Sequence, residues 1–137
     1  MSIKRVYVAG LLTPRNVWSR NSAIDYIFNL KIMIRTGVEV FLAGFVPFIP
    51  ALDFLIFLLL RDEERITEPM IKRYSKDWLE VCDAVLLCKG WRKSVGTKKE
   101  IELAEKLGIP VFESIGRLVE ASNTEESIMW KNDYSKE

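Results

Sequence analysis

The segment Lys89-Gly90-Trp91-Arg92-Lys93-Ser94-Val95-Gly96-Thr97-Lys98-Lys99-Glu100 gathers the side chains best able to do chemistry. Five cations precede its first acid, Glu100. Ser94 and Gly96 stand just before a predicted helix N-terminus, where free backbone N–H groups and the helix dipole favour an anion. Glu100 falls in the first turn of that helix. So many neighbouring cations predict an ionised carboxylate, the state a nucleophile needs. A plainer explanation competes with this one. Thr97-Lys98-Lys99-Glu100 fits the capping box S/T-x-x-E, in which Glu100 would only bond back to the main chain. The lysines, likewise, fit a solvated helix face as readily as a phosphate site. The chain has no histidine, so His-based triads, His general bases and His-ligated zinc are excluded.

Three pieces of sequence taken together point further. They are Val6-Tyr7-Val8-Ala9-Gly10, the passage from Trp78-Leu79 into Asp83-Ala84-Val85, and Ser94-x-Gly96-x-x-x-Glu100-x-x-x-Ala104-x-x-x-Gly108. This combination resembles the nucleoside 2-deoxyribosyltransferase superfamily over about Lys4 to Phe112, and Gly90-Trp91-Arg92-Lys93-Ser94 is similar to one widespread branch of it. The resemblance implies a flavodoxin-like, Rossmann-like fold and cleavage of an N-glycosidic bond. It implies that Glu100 attacks the anomeric carbon, that the base leaves, and that a glycosyl-enzyme ester forms. A second base or water then releases the sugar.

Tyr7 is expected beside the sugar and the nucleophile. Gly10, Ser75, Trp91, Ser94 and Gly96 are expected to contact substrate, with Ser94, Arg92 and Lys93 on a phosphate. Relatives with serine at the Ser94 position hydrolyse 2′-deoxynucleoside 5′-phosphates, whereas an acid there accompanies nucleoside transfer. Relatives also carry an aspartate where Ser75 stands. Asp77, two residues on, points roughly 200° away on an ideal helix and is a poor substitute. The implied function is hydrolysis of, or deoxyribosyl transfer from, a nucleoside 5′-monophosphate-like substrate. The alternative is a nucleotide-binding or sensing module of the same fold with weak or no turnover. No cofactor and no metal are expected. The expected partners are a small nucleoside or nucleotide and further copies of this chain, because neighbouring subunits close the site in relatives.

Such a site needs elements to hold it. Val6–Ala9 reads as a buried strand that opens into a loop at Gly10. Thr13-Pro14 breaks the chain, and helical periodicity from about Asn21 to Arg35 ends at Thr36-Gly37. Val38–Leu42 reads as a second strand. The two prolines in Gly44–Pro50 predict a rigid extended loop, not a strand interior. Ala51–Leu60 reads as an unusually apolar helix, for which core packing is the default and a subunit interface the functional alternative. Met70–Cys82 reads as a helix whose Tyr74 and Trp78 serve core or interface. Asp83 reads as a structural hydrogen-bonder, and Ala84–Cys88 as a strand buried on both faces. A helix over Lys98–Leu107 closes at Gly108, a strand follows over Ile109–Phe112, and a short helix over Ser114–Ala121.

Alternating strands and helices predict βαβ units: a three-layer α/β sandwich with a parallel sheet of four to five strands. Ligands should bind beyond the strand ends, at the loops after Ala9, Leu42 and Cys88. Residues 1–121 form the expected domain and 122–137 a polar tail, where Met129 and Trp130 could dock. The 137 residues suffice for one domain with a real core. A formal net charge of +1 argues against a nucleic-acid partner. Cys82 and Cys88 read as inert buried thiols. The stretch 54–60 falls far short of the roughly 20 apolar residues of a spanning helix, so a cytoplasmic protein with no membrane role is expected.

Overall fold

The computed structural model describes residues 2–12 and 22–123. The Thr13-Pro14 break, the start of the first helix at Asn21 and the tail with Met129 and Trp130 lie outside the described residues. Strand β1 (Arg5–Ala9) leads to helix α1 (Ser22–Leu42), strand β2 (Val46–Phe48), a 3₁₀ turn (Pro50–Asp53) and the single-turn helix α2 (Phe54–Phe57). Helix α3 (Glu68–Glu80), strand β3 (Ala84–Leu87), helix α4 (Val95–Lys106), strand β4 (Val111–Phe112) and helix α5 (Ile115–Ser122) complete the order. The strands form one parallel sheet in the order β2-β1-β3-β4. This is a Rossmann-like α/β fold of the flavodoxin type, with its topological switch point between β1 and β3.

Side chains alternate across the two central strands and build two cores. Val6, Val8, Ala84 and Leu86 pack with Met33 and Val40 of α1 and Leu118 of α5. Tyr7, Ala9, Val85 and Leu87 pack on the other face with Leu79 of α3 and Ala104 of α4. Asp83 locks the register at the start of the sheet. Its Oδ2 accepts from Lys4 N–H at 2.9 Å and Arg5 N–H at 2.8 Å, while Asp83 N–H donates to Arg5 O at 2.8 Å. That is the structural role expected for it.

The first half departs from expectation in three places. Thr36-Gly37 does not end α1, and Val38–Leu42 is its last stretch and not a strand. Gly37 is needed inside the helix because a Cβ there would collide with the side chain of Ile49. Thr36 Oγ1 meanwhile donates to Ile32 O at 2.9 Å, as helical threonines do. The true stop is Gly44, whose φ is 90°. Phe45 N–H donates to Val40 O and Gly44 N–H to Phe41 O, a Schellman closure with Phe45 buried behind it.

The expected loop at Gly44–Pro50 contains β2. Pro47 is tolerated because β2 is an edge strand that among the described residues pairs only with β1, and the amide used at this end is Val46 N–H, bonded to Lys4 O. The expected helix Ala51–Leu60 is divided into the 3₁₀ turn and α2. Among the described residues no helix is long and apolar enough to cross a membrane.

Candidate functional site

A cavity of about 380 Å³ opens at the carboxyl end of β1, between α3 and α4. Tyr7, Val8, Ala9 and Gly10 form its sheet side. Helix α3 contributes Ile71, Lys72, Ser75, Lys76 and Leu79, and α4 contributes Gly96, Lys99, Glu100 and Leu103. Pro50 also lines it, so the loop after β2 begins at Phe48 and not at Leu42.

Local sequence explains the placement of Glu100. The 3₁₀ turn Trp91–Lys93 ends at Ser94, whose extended backbone makes it the N-cap of α4. Ser94 Oγ accepts from Thr97 N–H at 3.1 Å and from Thr97 Oγ1–H at 2.9 Å. Thr97 is therefore an interior residue of the first turn, fully buried, and not a cap. The capping box expected from Thr97 to Glu100 does not form. Glu100 lies one turn further in than expected, on the helix face turned to the cavity.

Burial dominates the electrostatics of this group. The Glu100 carboxyl is raised from 4.5 to about 7 by desolvation, and a hydrogen bond from Tyr7 pulls the other way. Full ionisation, expected from the neighbouring cations, is thus corrected. Lys98 and Lys99 are exposed, where water screens them. Among the described residues Glu100 Oε2 is a buried oxygen without a hydrogen-bond partner. Burial, then the charge and hydrogen bond of Glu100, raise the Tyr7 hydroxyl, so Tyr7 keeps its proton and donates; a Ser75 hydrogen bond works in the opposite sense. Tyr7, Ser75 and Glu100 form one connected polar group on this cavity. Behind it, Tyr7 packs on Phe48 at 5.4 Å between ring centroids, and Phe48 stacks on Trp78 at 5.2 Å.

The structure therefore brings together Tyr7, Gly10, Ser75, Gly96 and Glu100. It does not bring Trp91, Arg92, Lys93 or Ser94 into the lining. Trp91 packs against the α3/α4 core, and Arg92 lies over its ring at 4.8 Å while pairing with Glu113 at 3.6 Å. Ser94 is occupied as a cap. Gly10 is required by a close approach, since a Cβ there would lie 2.7 Å from Cys88 Cβ. Asp77 is largely exposed, pairs with Arg73 at 3.9 Å, and is absent from the lining, as the helix geometry predicted.

Sequence reading missed Lys72 and Lys76 on the cavity, and Asp53 near it. Asp53 is raised by its own burial, against a hydrogen bond from Tyr74, and its charge reaches Tyr7. A lone carboxylate in the apolar run 51–60 was the available signal for it. The lysines could have been found from their i,i+4 spacing on either side of Ser75.

Fold and site together define an open parallel α/β protein with a buried carboxylate at its switch point. Residues 4–113 match the family described as a domain of unknown function, DUF4406, and the chain belongs to that family. Among curated proteins no match is found.

Proposed function

We propose that this protein cleaves the N-glycosidic bond of a nucleoside 5′-monophosphate-like substrate, by hydrolysis or by transfer of the sugar. The observation that carries the reading is the Glu100 carboxyl, which lines a cavity sized for a small molecule and whose buried Oε2 has no hydrogen-bond partner among the described residues. The sequence resemblance to nucleoside 2-deoxyribosyltransferases supports it independently.

In this reading the ionised form of Glu100 attacks C1′ of the sugar. The C1′–N bond breaks, its electron pair leaves with the base, and an ester joins Glu100 to the sugar. Water, or a second base, then attacks C1′, and the carboxylate is regenerated. Tyr7 holds the carboxylate by donating to it, while Oε2 has no hydrogen-bond partner among the described residues. Ser75 holds Tyr7. A carboxyl near 7 costs little of the anion at neutral pH, and a desolvated anion is the stronger nucleophile.

Ser75 cannot protonate the departing base as an aspartate would, so the base takes its proton from solvent. General-acid assistance is worth roughly 10²–10⁴-fold, and turnover is correspondingly slow. The same observation favours the second reading, a nucleotide-binding module without turnover. The site works in the cytoplasm on free nucleotides, within a homo-oligomer.

Incubation with deoxyribo- and ribonucleoside 5′-monophosphates, with chromatography of the released base, tests the reaction. Free base is expected from the wild type and none from Glu100→Gln. Calorimetric binding with no base released over hours would select the binding module. Activity that survives Glu100→Gln would remove Glu100 from the chemistry.

A further inference from the structure

The cavity carries a charge pattern that the reaction alone does not use. Lys72 and Lys76 of α3 and Lys99 of α4 all line it, and among the described residues Glu100 is the only carboxylate that does so. Lys72 and Lys76 are one helical turn apart and bracket Ser75. Lys99 stands next to Glu100 in sequence, on the opposite helix. The three lysines therefore line the cavity from both helices that bound it, and Glu100 lines it with them. We propose that Lys72, Lys76 and Lys99 form a phosphomonoester site that selects charged over neutral ligands in this cavity. The proposal rests on the nucleotide reading above and names the residues that recognise its phosphate.

The lysines can be recruited at little cost. Lys72 meets Glu68 at 2.9 Å and Lys76 meets Glu80 at 3.8 Å, but all four side chains are substantially exposed. Exposed i,i+4 pairs of this kind contribute little and exchange readily for another anion. Among the described residues Lys99 has no carboxylate within salt-bridge distance; its charge is felt at Glu68. Three mobile ammonium groups suit a dianionic phosphate, because lysine binds as a point charge without a fixed approach geometry. The cations of the 89–94 loop are otherwise disposed. Arg92 is engaged by Glu113 and Trp91, Lys93 is outside the lining, and the Ser94 oxygen takes both Thr97 donors.

Calorimetry on the full chain would compare 2′-deoxynucleoside 5′-monophosphates, the matching nucleosides and deoxyribose 5-phosphate. The expected result for the wild type is roughly tenfold or greater preference for each monophosphate over its nucleoside, since charge-assisted contacts are involved. That preference should weaken as salt rises. It should collapse towards unity in a Lys72→Gln/Lys76→Gln/Lys99→Gln variant and fall partway in Lys99→Gln alone. Circular dichroism and melting would establish that both variants are folded, as expected for exposed helix positions. Absence of preference in the wild type, or its survival in the folded triple variant, overturns the proposal. The same measurement in Glu100→Gln separates the two readings. Phosphate preference retained there, with no base ever released by the wild type, would sink the reaction and leave the anion site standing.

Discussion

At the scale of single residues, the decisive group is a carboxyl whose environment works against its charge. Glu100 has its folded value raised to about 7 from 4.5, so the native state binds a proton that the unfolded chain gives up. The stabilisation is fully present below pH 4.5 and is lost as pH climbs through about 7. At alkaline pH the loss is on the order of 3 kcal/mol. Urea titrations of wild type and Glu100→Gln at pH 5 and pH 8.5 check this: the wild type should weaken across that window and the glutamine variant should hold level. If the reaction is as proposed, its rate should rise over the same interval, since only the anion attacks.

The cationic loop ahead of a helix made Glu100 visible as a candidate, and Tyr7 entered through the resemblance to the nucleoside 2-deoxyribosyltransferases. The sequence did not reveal the desolvation, which depends on tertiary packing around the carboxyl. Nor could it rank Thr97 against Ser94 as the cap. That choice is made by the 3₁₀ turn Trp91–Lys93, which delivers Ser94 in an extended conformation.

At the scale of elements, buried strands were the legible part. Val6–Ala9 and Ala84–Leu87 are apolar, short and bounded by turn residues, and both are central strands. The helices α3, α4 and α5 lie within a few residues of their expected spans because their polar faces keep a clear period. The stretch 36–50 was misread because its local preferences are overruled by tertiary contacts. Val38, Val40 and Phe41 favour a strand, yet Val40 is a helical residue at full burial.

The contact between Gly37 and Ile49 can be tested directly. Gly37→Val should destabilise the protein by roughly 1–3 kcal/mol through overpacking, despite removing a helix glycine. Adding Ile49→Ala to that variant should return part of the loss, and denaturant midpoints of the single and double variants would measure the coupling. Strict additivity would mean that the notch is not a packing constraint.

At the scale of the whole molecule, much apolar surface remains at the carboxyl end of α1 and beyond α2. Leu42 is 78% exposed, Leu58 67% and Leu59 83%, with Phe41, Leu55 and Phe57 beside them in the chain. Surfaces of this kind on a stable protein are usually covered by another subunit. Sedimentation equilibrium at micromolar concentration should therefore find a dimer or larger assembly, and Leu58→Glu/Leu59→Glu should shift it to the monomer. A wild-type monomer throughout that range would refute self-association. The apolar composition of 51–60 made this surface foreseeable, but its division into a 3₁₀ turn and a single helical turn was not.

Gly10 presses the loop after β1 directly onto Cys88, and burial has pushed that thiol up to about 11, with Cys82 at about 12. Both thiols are buried, and the backbone at Gly10, on the sheet side of the cavity, lies against Cys88. The pace at which Cys88 is modified thus becomes a clock for loop opening. A molecule that settles against Gly10 in the cavity would slow that clock without touching the sulfur.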